Sequence, residues 1–335
     1  MRVIIFTVLV LNAHFAFSKA VAKRHCTTPS NGQVSFTFRG VMAPVFTPLN
    51  ADLSVNYKEI PAYANYLANA GIKGVLVGGT SGEGMSLSVA DRKQLVDEWM
   101  KVSKTAGLHV MVQVGGGPLP DVLNLARYCA KAGVHSLLTL PELYFRPNSI
   151  DELVEYVALV AAAAPSLPVL YYHYPSMSKV DIKMPAFVTA ATKSIPNFKG
   201  IKFTSNDLSE AAQVLRNLNK DQDILLGADS LIAPAALLGI RSSVGTGTNV
   251  FPRLVQNIIE AVEKQDVVLA NSLQERLSLA MEVHSREGSK VPVMKAGMEI
   301  LSGVKVGPPA LPQKSISEEA KSRITGRLRM MKFLS

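Results

Sequence analysis

The stretch Phe198-Lys199-Gly200-Ile201-Lys202-Phe203-Thr204 reads as a short strand whose apolar character is nearly continuous. An apolar run without in–out alternation marks a strand covered on both faces, as in parallel sheets packed by helices. Comparable segments lie on either side of the quoted one, which reads as a strand over 200–204. They precede it at residues 40–47, 74–80, 109–115, 136–140 and 169–174, and follow it at 224–229 and 242–248. Helical patterns separate them at 57–70, 88–106, 119–132, 150–163, 185–193, 208–218, 231–238 and 251–264. Eight strand–helix units of about 28 residues each predict an α/β fold, a (β/α)8 TIM barrel. A doubly wound open sheet is the competing architecture. It calls for a glycine fingerprint at the first strand, where Val41-Met42-Ala43-Pro44 stands instead. Beyond the barrel, 267–287, 291–302 and 317–333 read as further helices, with Pro308, Pro309 and Pro312 interrupting the chain before the last. The predicted organisation is a signal-like segment at 1–18, a polar leader at 19–36, the barrel at 37–265 and a small C-terminal helical extension at 266–335.

Lys202 bears on what such a barrel does. An ammonium in an apolar strand is costly unless it is paired, reaches water at the strand end, or sheds its proton. A lysine pushed toward neutrality is the nucleophile that attacks carbonyl carbons to form a Schiff base. Strand parity puts Lys202 and Thr204 on one face, and Ile201 and Phe203 on the other.

Chemistry in these barrels gathers at the C-terminal ends of the strands. The second strand ends in Gly78-Gly79-Thr80-Ser81-Gly82-Glu83-Gly84. Its glycines let amides converge on an anion, and the Thr80 and Ser81 hydroxyls suit a carboxylate, although a tight turn explains the same residues. It is neither a P-loop nor a nucleophile elbow, because Glu83 occupies the place of the last glycine. The fifth strand ends in Tyr171-Tyr172-His173-Tyr174-Pro175. Tyr172 is a proton relay or a packing residue. His173, of opposite parity, is expected to face the helices as a structural side chain. Gly227 and Asp229 after the seventh strand, and Thr246 in the eighth, either bind hydroxyls or cap the helices that follow.

Composition narrows the function classes. Of 335 residues, 48% are hydrophobic and 18% charged, a globular balance. The net charge of +9 is scattered. Its densest basic group, between positions 321 and 332, has the spacing of a solvated helix face and accompanies no nucleic-acid motif. The six histidines are dispersed without metal-ligand spacing, so no metal is expected. Arg2, an apolar stretch and Ala16-Phe17-Ser18 resemble a cleavable secretory signal, too short for a membrane span. Secretory entry is therefore expected, with a cytoplasmic location as the alternative. No Asn-X-Ser/Thr sequon occurs, and Cys26 and Cys129 form no disulfide framework.

Taken together, these motifs resemble the pyruvate-dependent class I aldolases, the family of N-acetylneuraminate lyase and dihydrodipicolinate synthase. The likeness spans about residues 38–315. It rests on the Gly-Thr-Ser-Gly-Glu loop, on Tyr172 in Tyr-x-x-Pro and on Lys202 in Gly-Ile-Lys-Phe-Thr, in that order. The lyase branch fits best, through Gly84-Met85-Ser86-Leu87-Ser88-Val89, Tyr171–Pro175 and Gly307-Pro308-Pro309-Ala310-Leu311-Pro312. The synthase branch would place an arginine where Ser176-Met177-Ser178 stands.

The resemblance implies a retro-aldol lyase that splits N-acetylneuraminate into pyruvate and N-acetylmannosamine. It implies that Lys202 forms the Schiff base and Tyr172 shuttles the proton of the C4 hydroxyl. Thr80 and Ser81 would hold the pyruvate carboxylate and Thr204 the C4 hydroxyl, while Gly227, Asp229 and Thr246 would bind the distal polyol. It implies no metal or organic cofactor, and a homotetramer. In the lyases, however, a glutamate follows the Asp229 position, and here Ser230 stands there. The eighth-strand loop Gly245-Thr246-Gly247-Thr248-Asn249 also departs from the family's Gly-Ser-Thr-Tyr-Asn. Another pyruvate aldolase acting on a different 2-keto-3-deoxy sugar acid is one alternative. A non-catalytic barrel with a binding role is the other.

Overall fold

Eight parallel strands hydrogen-bond in sequence order: β1 (Met42–Pro44), β2 (Gly74–Val77), β3 (His109–Gln113), β4 (Ser136–Thr139), β5 (Val169–His173), β6 (Phe198–Phe203), β7 (Asp223–Leu226) and β8 (Ser242–Ser243). The ring closes through a parallel bridge between Val41 and Ser243, as the predicted (β/α)8 barrel requires. This computed structural model describes residues 34–334. The signal-like segment, residues 19–33 of the leader and Cys26 lie outside the described residues. Among the described residues the buried Cys129 pairs with no cysteine, and burial pushes its thiol up to a pKa of about 12.

The outer helices are α1 (Ile60–Asn69), α2 (Val89–Ala106), α3 (Leu119–Ala132), α4 (Ile150–Ala163), α5 (Met184–Ser194), α6 (Leu208–Asn217), α7 (Ile232–Leu237) and α8 (Pro252–Glu263). Their starts follow local chemistry. Ser88, Ser149 and Asp207 each accept the amide three residues on, satisfying a first-turn donor. Three further helices complete the chain: α9 (Val267–Ser285), α10 (Lys290–Ser302) and α11 (Glu318–Met330). Among the described residues, no helix is long and apolar enough to cross a membrane.

The strands divide two apolar layers. Val169, Tyr171, Ile201 and Phe203 pack outward against the helices, whereas Leu170, Tyr172 and Leu225 fill the barrel interior. Phe36 and Phe38 join the interior cluster and pack on the His109 ring, at the start of β3. Thus the end of the predicted leader helps close the N-terminal end of the barrel.

Two departures from regular alternation position the site. In β6, Phe198 pairs with Val169 but Ile201 pairs with Tyr171, so three residues of β6 oppose two of β5. Such a bulge resets the in–out phase. It lets Phe198 and Ile201 both face outward and turns Lys202 inward. Gly200 permits it, with φ of +127° and no side chain, since a Cβ there would lie 1.8 Å from the Asp223 carbonyl oxygen. The second departure is β8. The expected strand over 242–248 ends at Ser243, and Gly247–Val250 forms a helical turn instead. The cause is Asp229, whose Oδ1 accepts the Gly247 amide at 3.0 Å. A Cβ on Gly245 would stand 2.0 Å from that oxygen, so the chain wraps a carboxylate rather than extending the sheet.

Candidate active site

Lys202 and Tyr172 are register partners across the β5–β6 ladder, and Lys202 Nζ lies 4.1 Å from the centre of the Tyr172 ring. Lys202 is only 4% exposed. Burial brings its ammonium down to a pKa of about 7, the Lys290 ammonium pushes the same way, and Asp229 opposes them. This is the neutral-leaning lysine that carbonyl addition needs. The Tyr172 hydroxyl lies 3.2 Å from Thr80 Oγ1. Burial pushes its phenol up, so Tyr172 holds its proton at neutral pH.

Thr80 and Ser81 follow β2 on the glycine loop. Among the described residues their amides donate no hydrogen bond, which leaves both free for an anion. Ser81 Oγ sits 2.9 Å from Thr246 Oγ1. Two residues after Ser81, Glu83 takes the left-handed conformation at φ +54°, an uncommon one for a non-glycine residue. Its Oε1 accepts from the Ala310 amide and Gln313 Nε2, both at 2.7 Å, and its Oε2 lies 2.8 Å from Lys295 Nζ. That buried pair ties the anion loop to α10 and to the segment after it. Proline spacing in the sequence marked the segment only as a linker.

Beside the lysine opens a cavity of about 600 Å³. Thr204, Gly227, Asp229 and Ser230 line its barrel side. Among the described residues Thr204 Oγ1 is buried without a hydrogen-bond partner, and a Cβ on Gly227 would lie 2.0 Å from it. Gly227 therefore keeps that hydroxyl clear. Asp229 Oδ2 is likewise without a hydrogen bond, though Lys290 Nζ lies 3.8 Å away. Burial pushes the Asp229 carboxyl up, and the Lys290 ammonium pulls it back down.

Lys202, Tyr172, Thr80 and Ser81 thus stand at one barrel mouth, with Thr204, Gly227 and Asp229 in the adjoining cavity. Thr246 differs from its expected place. It reaches back to Ser81 and does not line the cavity, because the turn around Asp229 swings it toward the anion loop. His173 does face outward, stacked on Phe203 at 5.1 Å. Sequence reasoning missed Glu83, Lys290 and Glu282, which line or brace the mouth. For Glu83 the available signal was a carboxylate inside a glycine loop. Nothing marked the other two, since α9 and α10 reach the mouth only after the chain has closed the barrel. Among the described residues, no three His, Cys, Asp or Glu side chains are grouped to hold a metal ion.

The model of the dihydrodipicolinate synthetase family matches residues 37–330. The N-acetylneuraminate lyase of Mus musculus is 32% identical over 299 residues, 89% of this chain and 93% of that protein. The Gallus gallus N-acetylneuraminate lyase is 33% identical over 291 residues, covering 86% and 94%. Among solved structures, the Proteus mirabilis N-acetylneuraminate lyase aligns with a TM-score of 0.84 at 34% identity, over 89% of this chain and all of that one.

Proposed function

We infer that this chain, which belongs to the dihydrodipicolinate synthetase family, is a class I aldolase that cleaves N-acetylneuraminate to pyruvate and N-acetylmannosamine. The observation that carries the reading is the buried Lys202 beside Tyr172, with unengaged amides at Thr80 and Ser81. Relatives named N-acetylneuraminate lyase support the substrate.

In this reading Lys202 Nζ adds to the C2 ketone and water leaves, giving a protonated Schiff base. Thr80 and Ser81 hold the adjacent carboxylate. Tyr172 takes the proton of the C4 hydroxyl while passing its own to that carboxylate, a relay that suits a phenol held neutral by burial. The C3–C4 electron pair flows into the iminium and the aldehyde departs. Protonation at C3 and addition of water then release pyruvate and restore the lysine. The lysine itself supplies the electron sink, so no metal or organic cofactor enters. Assembly as a homotetramer and entry to the secretory pathway belong to the same proposal. The first is supported by the family resemblance, the second by residues 1–18.

A second reading, an aldolase for a shorter 2-keto-3-deoxy acid, is favoured by Ser230 on the cavity wall. Steady-state kinetics separate the two. The expected result is a kcat/KM on N-acetylneuraminate at least tenfold above that on a six-carbon 2-keto-3-deoxy acid. Equal or better rates on the short acid would assign the enzyme to the second reading.

The lysine also sets a pH limit. Only the unprotonated amine adds to a ketone, so kcat/KM should fall about tenfold per unit as pH drops below about 7. The charged or titratable neighbours on this group are Tyr172, Asp229 and Lys290. In Lys290→Met the repelling ammonium is gone, so the acid limb should move to higher pH. A native limb above pH 9 would contradict the arrangement.

A further inference from the structure

Resting on the aldolase reading, we propose that Glu282 is the specificity carboxylate for the far hydroxyls of the sugar half. Polyol length is then read by helix α9 and not by the loop after β7. A polyol needs acceptors that bind two hydroxyls at once, and an ionised carboxylate is the side chain best suited to it. Among the described residues the cavity lining has two, Asp229 and Glu282. Of the two, Asp229 already has one oxygen on the Gly247 amide and the other 3.8 Å from Lys290 Nζ. Ser230 beside it offers a hydroxyl alone. The remaining carboxylate, Glu282, stands on the wall that α9 forms.

That wall is a built surface. Gln274, Ser278, Met281, Glu282 and Ser285 recur at helical spacing, which puts them along one side of α9. Gln274 anchors the helix to the β7 loop: its Nε2 donates to the Asp229 carbonyl and its Oε1 accepts the Ala233 amide, both at 3.0 Å. The three residues that follow it along this side, apart from Met281, are Ser278, Glu282 and Ser285, and all line the cavity. Arg286 Nη2 donates to Glu282 Oε2 at 3.2 Å, one turn on, which leaves Oε1 for a ligand. Glu282 is about half-exposed, so its free oxygen is open to a ligand in the cavity, and the helix that carries it is clamped to the reacting loop by Gln274.

The test compares native protein with Glu282→Gln and Glu282→Asp on N-acetylneuraminate and on a six-carbon 2-keto-3-deoxy acid that lacks the distal hydroxyls. For Glu282→Gln, KM on N-acetylneuraminate should rise about ten- to a hundredfold, the range of a lost charge-assisted hydrogen bond, with kcat within about twofold. The short acid should be unaffected, and Glu282→Asp should recover part of the loss. An unchanged KM on N-acetylneuraminate, or an equal rise on both substrates, overturns the assignment of Glu282 alone. If the native protein cleaves neither acid, the aldolase reading falls and this assignment with it.

Discussion

Lys202→Met should abolish cleavage while leaving the barrel folded. Methionine fills nearly the same volume, and the position already favours an uncharged group, so the substitution removes a nucleophile and little else. The expected loss in kcat is on the order of 10⁵-fold or more, because no residual side chain can form the iminium through which the C3–C4 bond breaks. Incubation with pyruvate and borohydride reads the same point directly. Native protein should gain one reduced pyruvate, mapped by peptide mass to Lys202, and the variant none. Lys202→Arg should behave alike, since a guanidinium stays protonated and does not add to ketones. Native, folded protein without an adduct would return the chain to the reading of a non-catalytic binding barrel.

Tyr172→Phe separates two stages that Lys202 joins. The ring remains under the ammonium at the observed 4.1 Å, so the Schiff base should still form and be trapped with pyruvate. The hydroxyl beside Thr80 is lost, and with it the relay for the C4 proton. Cleavage should fall by about 10²- to 10⁴-fold, the usual contribution of a positioned acid–base group, with KM little changed. A variant that cleaves within tenfold of native, while trapping normally, would move the proton transfer to another group. Thr204, whose hydroxyl is buried and unpartnered, would then be the next side chain to test.

Much of this architecture was legible because its causes are local. Strands covered on both faces lose alternation, and each gap between them carries a helical period. Serine and aspartate caps start α2, α4 and α6 within one residue of where periodicity put them. Strand ends in a barrel share one mouth, so Lys202, Tyr172 and the Thr80-Ser81 loop meet by topology alone. Thr246 was misplaced for a non-local reason: a buried carboxylate 18 residues upstream captures the Gly247 amide and ends β8 early. Glu83 was passed over because its partners, Ala310, Gln313 and Lys295, lie more than two hundred residues away.

By itself the sequence determined the eight strand–helix units, the placing of a lysine and a tyrosine on strands that share one barrel mouth, and the glycine loop suited to a carboxylate. These follow from periodicity and from residue chemistry within a single unit. Tertiary structure alone decided how Lys202 comes to point inward, through the bulge at Gly200 that pairs three residues of β6 with two of β5. It also decided which surface faces the sugar half. Helices α9 and α10 bring Glu282, Ser285 and Lys290 over the mouth only once the barrel has closed and Gln274 has locked onto the β7 loop. The distance between them and Lys202 in the chain carries no pattern, so only packing can join the reacting half of the site to the half that selects.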